Sequence, residues 1–176
     1  FTPYYPGPGL GGHCIPIDPF YLTWKAKELG MSTRFIELAG EVNTSMPDFV
    51  ITKIIESLNN IGKAVKGSSI LVLGLGYKKN VDDLRESPSL KILQTLIRLE
   101  AKVQFSDPYI NDIPDLRNYD FKLSGIALDK NSLNKSDLVV LVTDHDDFDY
   151  DLIEKESKII IDTRGKFINS NKIIRA

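Results

Sequence analysis

The stretch Ser69-Ile70-Leu71-Val72-Leu73-Gly74-Leu75-Gly76 joins a short apolar run to two closely spaced glycines. An apolar run of this length that ends at glycine predicts a buried strand followed by a tight turn. Further apolar runs at residues 102–105, 137–143 and 158–162 alternate with helical patterns. Near-continuous apolar strands joined by helices are typical of a parallel sheet that is covered on both faces. We therefore predict an α/β fold, in which a helical N-terminal segment precedes a Rossmann-like parallel sheet with helices on both faces.

The carboxyl ends of the predicted strands are the expected binding edge, because ligands of open parallel sheets bind there. The turn Gly74-x-Gly76 invites comparison with a dinucleotide-binding turn, but Lys79 stands where the third glycine belongs. The next helix starts only at Ser87-Pro88, where serine can cap it. The pattern thus argues against a dinucleotide site, and a plain turn and another nucleotide site remain as alternatives. The residues at these strand ends are 74–79, Asp107, 143–147 and 162–164.

Residues before the sheet show helical periodicity. Asp18-Pro19 is typical of an N-cap and first helical position, and predicts a helix over residues 19–29. Ser32 or Thr33 can cap a second helix, in which Pro47 either starts a new helix or kinks a longer one. The apolar stripe of this segment needs a partner, which is either the following domain or a second copy of the chain. The stripe consists of positions 50, 51, 54, 55, 58 and 61.

A glycine- and proline-rich loop precedes the first helix and carries Cys14, the only cysteine of the 176 residues. A thiol just before a helix N-terminus is favoured as thiolate, which is the reactive form. The competing interpretation is an inert cysteine in a simple connection, which is the commoner case for a lone cysteine. The loop runs Tyr5-Pro6-Gly7-Pro8-Gly9-Leu10-Gly11-Gly12-His13-Cys14-Ile15-Pro16-Ile17.

Composition excludes several classes of protein. A net charge of −2 gives no basic surface for nucleic acid or a membrane. A single cysteine rules out an internal disulfide and fits a reducing, cytoplasmic compartment. The sequence contains no apolar run of membrane-spanning length and no signal peptide. It starts with Phe1 and reaches a functional type of loop at once, so we expect an N-terminal part to be missing.

Two strings identify a family resemblance. The stretch Gly9–Pro19 resembles the active-site loop of the UDP-glucose/GDP-mannose dehydrogenase family. The string Gly76-Tyr77-Lys78-Lys79-Asn80-Val81-Asp82-Asp83-Leu84-Arg85-Glu86-Ser87-Pro88 resembles the signature of the family's C-terminal UDP-sugar-binding domain. Residues 144–148 and 162–164 resemble later motifs of that domain. The resemblance covers about residues 1–170, but only the second part of the family enzyme.

The resemblance implies an NAD-dependent UDP-sugar 6-dehydrogenase, with residues 1–66 as active-site loop and central dimerisation helices and residues 67–176 as UDP-sugar-binding domain. The NAD site is expected on a preceding domain that this sequence lacks, so the chain alone should be inactive. Family members oxidise the sugar C6 hydroxyl to a carboxylate by two hydride transfers, through a thiohemiacetal and a thioester on cysteine. A homodimer formed through the central helices is expected, and no metal is implied.

Site residues follow from the same matches. Cys14 matches the nucleophile, and Asp18 matches the carboxylate that assists water, a role compatible with capping the helix. Asp83 and Glu86 are expected instead in an ion-pair network that holds their loop, and His145 in a structural role. Lys78 offers a point charge and Arg164 a bidentate fork to a diphosphate. The expected substrate-binding residues are Tyr5, Gly9, Gly11, Gly12, Tyr77, Lys78, Arg85 and Arg164.

Local variation bears on the substrate. His13 and Ile15-Pro16-Ile17-Asp18 differ from the UDP-glucose branch and look most like UDP-N-acetylglucosamine 6-dehydrogenases. UDP-N-acetylmannosamine is the next candidate and UDP-glucose a further one. A different class also stays open, namely a UDP-sugar-binding or dimerisation module without chemistry. The retained Cys14 and Asp18 argue against that module, because a pure binder has no use for a thiol in the loop.

Overall fold

The computed structural model describes residues 5–168 and 170–176, and the predicted features at residues 1–4 and 169 lie outside it. Two helices come first, and a sheet with flanking helices follows. The elements are α1 (Asp18–Glu28), α2 (Arg34–Asn60), β1 (Ser69–Leu73), α3 (Pro88–Arg98), β2 (Lys102–Ser106), α4 (Lys130–Lys135), β3 (Leu138–Leu141), α5 (Tyr150–Glu156), β4 (Ile160–Asp162) and β5 (Ile173–Arg175).

The five strands form one parallel sheet in the order β2-β1-β3-β4-β5, which confirms the predicted α/β fold. Alternate residues of β1 point to opposite faces. Ile70 and Val72 join a core with α2 and α3, whereas Leu71 and Leu73 join a second core with α4 and α5. The order switches direction between β1 and β3, and the crevice at that point is where sheets of this kind bind ligands.

The two halves of the long helix α2 lie in different environments. Its second half is buried against the sheet domain, where Val50, Ile54 and Leu58 have no exposed surface. Its first half leaves apolar side chains uncovered, and Phe35 is 89% exposed. Ile55, which the stripe predicted as buried, is 43% exposed, so the apolar stripe is narrower than expected. Packing against the following domain is therefore correct for the second half of the helix.

Several helix boundaries differ from the prediction. Pro47 lies inside one continuous α2, so it does not start a new helix. Asp18 is the first helical residue and Ile17 holds the N-cap position, so the expected Asp18 cap was wrong. Thr33 is at the N-cap of α2 as predicted, but its side chain makes no capping hydrogen bond. By contrast, the hydroxyl of Ser87 accepts the backbone N–H of Ser89 and caps α3.

The C-terminal edge of the domain holds an unpredicted element. Strand β5 pairs Ile160 with Ile173 and extends the sheet by one parallel strand. Its three residues are too few to show a strand pattern. Within residues 5–168 and 170–176, no helix combines the length and the apolar character that crossing a membrane requires.

Candidate active site

Residues 5–17, here called the cysteine loop, lie across the carboxyl edge of the sheet. Gly7 packs on the guanidinium of Arg164, since a Cβ on Gly7 would lie 2.7 Å from Nη1. Further along, the N–H of Leu10 donates to Oδ1 of Asn43 at 2.8 Å, which ties the loop to α2. The loop therefore spans the sheet edge from the end of β4 towards the end of β1.

The glycines of this loop are required by close packing. A Cβ on Gly11 would lie 2.6 Å from Cβ of Tyr77, and one on Gly12 would lie 2.9 Å from the Tyr77 ring. Gly12 also has a φ of +86°, which side chains other than glycine adopt at a cost. The structure thus brings together Gly11, Gly12 and Tyr77, which are three of the predicted substrate-binding residues.

Cys14 follows this contact and is exposed. Its carbonyl oxygen accepts the backbone N–H of Ile17 at 3.1 Å and that of Asp18 at 2.8 Å. This turn leads directly into α1, so the thiol residue and the carboxylate residue flank one turn at a helix start. A nucleophile and a carboxylate on such a turn suit attack on a carbonyl carbon followed by activation of water.

A cleft of about 750 Å³ opens beside this turn. Gly12, His13 and Ile17 line one wall, and residues 82–86 and 109–119 contribute much of the rest. Its size is within the usual range of small-molecule sites. The cysteine loop is therefore bordered by open volume on the side of β2.

Residues 74–87, here called the β1 loop, carry the second string of the resemblance. The hydroxyl of Thr143 donates to the carbonyl oxygen of Gly76 at 2.6 Å, which anchors the loop to the segment just after β3. Lys79 forms an ion pair with Asp146 at 3.0 Å. Lys78 is exposed and takes part in no ion pair among the described residues. Of the two adjacent lysines, only Lys78 is free for an anionic ligand.

Arg85 is engaged within the same loop. Its guanidinium forks onto Asp83, with Nη2–Oδ2 at 2.6 Å and Nε–Oδ2 at 2.9 Å. The hydrogen bond from Arg85 lowers the pKa of Asp83. The predicted ion pair of Asp83 is thus present and uses Arg85, which was predicted as a substrate ligand. Glu86 forms no ion pair within the described chain, so its expected place in that network was wrong.

Arg164 is the half-buried cation of the site. Its Nε donates to the carbonyl oxygen of Val142 at 2.7 Å, and its backbone N–H donates to Oδ1 of Asp162 at 3.0 Å. Burial lowers the pKa of Arg164, although nearby Asp144 opposes the shift. Arginine stays protonated in proteins, so this charge is fixed. Because Arg164 forms no ion pair in the part of the chain that the structure describes, it is a candidate anion ligand. Tyr5 is exposed and lies beside Arg164, and the two residues line one surface hollow.

Sequence reasoning missed the role of Asp107, and it missed Asn80, whose backbone N–H donates to Nδ1 of His145 at 2.9 Å. Asp107 was noted only as a strand-end residue, but its buried carboxylate accepts the backbone N–H of Leu75 at 2.6 Å. His145 lies against it, fully buried, with 3.1 Å between Nε2 and Oδ2. A structural role for His145 was expected, and no residue pattern indicated its partner.

The turn after β1 departs from a dinucleotide-binding turn, in which the helix opens directly at the glycines. A Cβ on Gly74 would collide with the carbonyl oxygen of Thr143, and one on Gly76 would lie 2.7 Å from that of Val81. Both glycines are therefore needed by contacts within the chain, and the following helix starts only at Pro88. In the described part of the chain, no group of three or more His, Cys, Asp or Glu residues is arranged to hold a metal.

Comparison with known proteins agrees with this geometry. Residues 71–169 match the UDP binding domain of the UDP-glucose/GDP-mannose dehydrogenase family, and residues 1–45 match its central domain. The chain belongs to this family. It is 37% identical, over 91% of its length, to an NDP-N-acetyl-D-galactosaminuronic acid dehydrogenase of Ralstonia nicotianae. It is 36% identical, over 94% of its length, to a UDP-N-acetyl-D-mannosamine dehydrogenase of Methanococcus vannielii.

A solved relative has the same fold. The UDP-D-ManNAc dehydrogenase structure from Pyrococcus horikoshii aligns with 99% of the chain at a TM-score of 0.77 and 31% identity. The alignment covers 40% of that protein, and the chain spans about a third of the two curated relatives, 36% and 37% of their lengths. The names of these relatives refer to N-acetylmannosamine or to N-acetylgalactosaminuronic acid, which agrees with the N-acetylhexosamine branch that the sequence indicated.

Proposed function

We propose that this chain is the substrate-binding and nucleophile-bearing part of an NAD-dependent UDP-sugar 6-dehydrogenase. The observation that carries the proposal is the half-buried Arg164 guanidinium, which has no carboxylate partner among the described residues and packs on the cysteine loop. A desolvated cation without a counter-charge favours an anionic ligand. Lys78 adds a second unpaired cation at the same sheet edge. A diphosphate bound there would place its sugar near the cysteine loop.

The residues of the chain account for part of the chemistry. The Cys14 thiolate adds to the C6 aldehyde carbon, a C–S bond forms, and the carbonyl oxygen takes a proton to give a thiohemiacetal. At the thioester stage Asp18 accepts a proton from water. The water oxygen bonds to the carbonyl carbon, the C–S bond breaks, and the thiolate leaves. The two oxidations need a hydride acceptor, which we propose is NAD held outside these residues.

Each predicted ligand then has a role. Gly9, Gly11 and Gly12 supply backbone against the sugar, while Tyr77 supports that backbone by packing. Tyr5 lies beside Arg164 at the other end of the loop. Arg85 lies near Cys14, and it would bind the ligand if its guanidinium exchanged Asp83 for the ligand.

The domain division belongs to the same proposal. Residues 1–66 would supply the cysteine loop and the central helices, and residues 67–176 the UDP-sugar-binding sheet. The exposed apolar side chains of Phe35, Leu38 and Val42 favour a homodimer through the first half of α2. An exposed nucleophilic cysteine works best in a reducing compartment, so a cytoplasmic location is part of the proposal.

The substrate is proposed as a UDP-N-acetylhexosamine. The loop sequence favours UDP-N-acetylglucosamine, whereas the names of the relatives favour UDP-N-acetylmannosamine and an N-acetylgalactosaminuronic acid derivative equally well. UDP-glucose is the remaining candidate. These sugars share the UDP group, which is the part that Lys78 and Arg164 would hold.

Calorimetric titration of the chain with UDP, UDP-N-acetylglucosamine, UDP-N-acetylmannosamine and NAD⁺ tests the proposal. We expect binding of the UDP ligands and none of NAD⁺. Arg164→Lys should weaken UDP binding about tenfold, because lysine loses the fork and the Val142 contact. Arg98→Lys, an exposed arginine at the end of α3, is the matched control and should leave the affinity unchanged.

Binding of NAD⁺ without UDP would overturn the assignment of the sheet edge. Equal UDP affinity in the wild type and Arg164→Lys would remove Arg164 from the site. UDP binding together with a Cys14 that does not react with thiol reagents faster than free cysteine would favour the non-catalytic module.

A further inference from the structure

Asp107, at the end of β2, is a buried carboxylate whose two oxygens are fully used. Oδ1 accepts the backbone N–H of Tyr109 at 2.8 Å and that of Ile110 at 3.0 Å. Oδ2 accepts the N–H of Leu75 at 2.6 Å and contacts Nε2 of His145 at 3.1 Å. Burial raises the pKa of Asp107, but these hydrogen bonds outweigh burial and lower it overall. The group is therefore a charged acceptor that links the ends of β1, β2 and β3.

The hydrogen bonds of His145 specify one form of its ring. Nδ1 lies 2.9 Å from the backbone nitrogen of Asn80. A backbone N–H can only donate, so Nδ1 is the acceptor and carries no proton. The ring proton is then on Nε2, which donates to the carboxylate of Asp107. His145 is held as the uncharged Nε2–H tautomer between an acceptor and a donor.

Asn80 connects the contact with His145 to the conformation of the β1 loop. Its φ of +61° is in the left-handed region, which asparagine tolerates better than most residues. Its Oδ1 accepts the N–H of Asp146 at 2.9 Å, and its Nδ2 donates to Oδ2 of Asp146 at 2.7 Å. Together with the bond to His145, three hydrogen bonds fasten one residue of the β1 loop to the segment after β3.

Lys78 lies between two fastened points of this loop. Gly76 is held through its carbonyl oxygen by Thr143, and Asn80 is held by His145 and Asp146. Lys79 is already paired with Asp146. The segment 76–80 is therefore fastened at both ends, and within it Lys79 is paired while Lys78 is not.

We propose that His145 is a positioning residue for the nucleotide site: its Nδ1 accepts the N–H of Asn80, holds the β1 loop to the segment after β3, and so presents Lys78 to the diphosphate. This inference rests on the proposed function, because it assumes that Lys78 contacts the ligand. His145 itself is fully buried and touches neither ligand nor nucleophile.

Two substitutions of similar size separate the two nitrogens of the ring. In His145→Asn, the amide oxygen takes the place of Nδ1 and still accepts the N–H of Asn80, but the contact with Asp107 is lost. In His145→Gln, the amide nitrogen takes the place of Nε2 and still donates to Asp107, but Asn80 loses its acceptor. Both variants leave a small void in the same buried place, so a purely structural role predicts similar effects for both.

Two readouts on the 176-residue chain test the inference. Amide exchange without ligand should show the Asn80 N–H about tenfold less protected in His145→Gln than in His145→Asn, because this partly buried donor loses its acceptor and the loop opens more readily. Calorimetry with UDP should show about tenfold weaker binding for His145→Gln and a change within about twofold for His145→Asn. Thermal unfolding of both variants controls for a general loss of stability.

The outcomes are distinct. Equal protection of Asn80 in the two variants would overturn the inference whether or not UDP binds. Selective loss of protection without any selective loss of UDP affinity would overturn it as well, because the loop shape would not matter to the ligand. Failure of the wild-type chain to bind UDP would instead count against the proposed function, and the exchange data would still report on the link between His145 and Asn80.

Discussion

The backbone N–H of Gly12 donates to the carbonyl oxygen of Arg85 at 2.8 Å and joins the cysteine loop to the β1 loop. This bond connects residues that are far apart in sequence, and it places the thiol of Cys14 next to the segment expected to hold the diphosphate. The two strings that identify the family therefore lie side by side in three dimensions.

Gly12→Ala should destabilise this junction. The new Cβ would meet the Tyr77 ring at 2.9 Å and would have to adopt a φ of +86°. Gly67→Ala is the matched control, since its φ is +80° and nothing lies within 4 Å. We expect both to lose about 1 kcal/mol from the left-handed backbone, and Gly12→Ala to lose about 1–3 kcal/mol more from overpacking. Urea unfolding measures both, and equal losses would show that the Tyr77 contact yields easily.

Asn43 should act as the anchor of the cysteine loop on α2. Asn43→Ala removes the acceptor of the Leu10 N–H and should cost about 1 kcal/mol, together with faster proteolysis within residues 7–12. Asn43→Asp keeps an oxygen in place and should preserve both the stability and the resistance to protease. Equal cleavage of the two variants would show that the loop is held by its other contacts.

Lys78→Ala should weaken UDP binding about tenfold, because a charge-assisted hydrogen bond to phosphate is lost. The loss should shrink at high salt, since an exposed charge is screened. Lys66→Ala is the control, as Lys66 is exposed and pairs with Glu100 at the opposite edge of the sheet. A reduction in affinity that is the same for both variants would indicate a general charge effect and no contact with the diphosphate.

The carboxylate of Asp107 should make stability depend on pH. Its pKa in the folded state lies below the ordinary value of 3.8, so it contributes stability above that pH. That contribution is lost as pH falls through the folded-state pKa. Asp107→Asn should cost about 3 kcal/mol near pH 7, since an amide N–H₂ faces buried donors, and the difference from wild type should shrink below about pH 4.

Unfolding measurements at a series of pH values check this dependence. Asp115→Asn provides the comparison, because Asp115 pairs with Lys122 on the surface, where both side chains are more than 80% exposed. It should change stability by less than about 0.5 kcal/mol. A difference between wild type and Asp107→Asn that does not vary with pH would mean that the substitution acts only through shape.

Val42→Glu should disrupt the proposed dimer. Val42 is 53% exposed and shares a face of α2 with Phe35 and Leu38, so a charge there would oppose burial against a second copy. We expect the variant to be monomeric by light scattering with little change in unfolding free energy. Ile168→Glu, at an apolar residue outside α2 that is 83% exposed, should leave the mass unchanged. A wild-type chain that is already monomeric would refute the homodimer for this chain.

Local sequence was sufficient for the architecture. The apolar runs of β1 and β3 and the Ser87-Pro88 start of α3 predicted a parallel α/β sheet, because burial on both faces requires continuous apolar strands. The strings around Cys14 and Lys78 identified the family for a similar reason: a crowded loop needs particular residue types at adjacent positions. Strand β5, with three residues, was too short to leave such a pattern.

Tertiary structure decided which charges are occupied and which side chains are buried. Nothing local distinguishes Lys78 from Lys79. Likewise, the stripe of α2 does not show that Val50 is covered while Phe35 is not. These outcomes depend on residues that are distant in sequence, such as Asp146 beside Lys79 and Asp107 beside His145. The fold decides which polar and charged groups come within hydrogen-bonding distance of one another. Periodicity along the chain shows only which faces of an element are apolar.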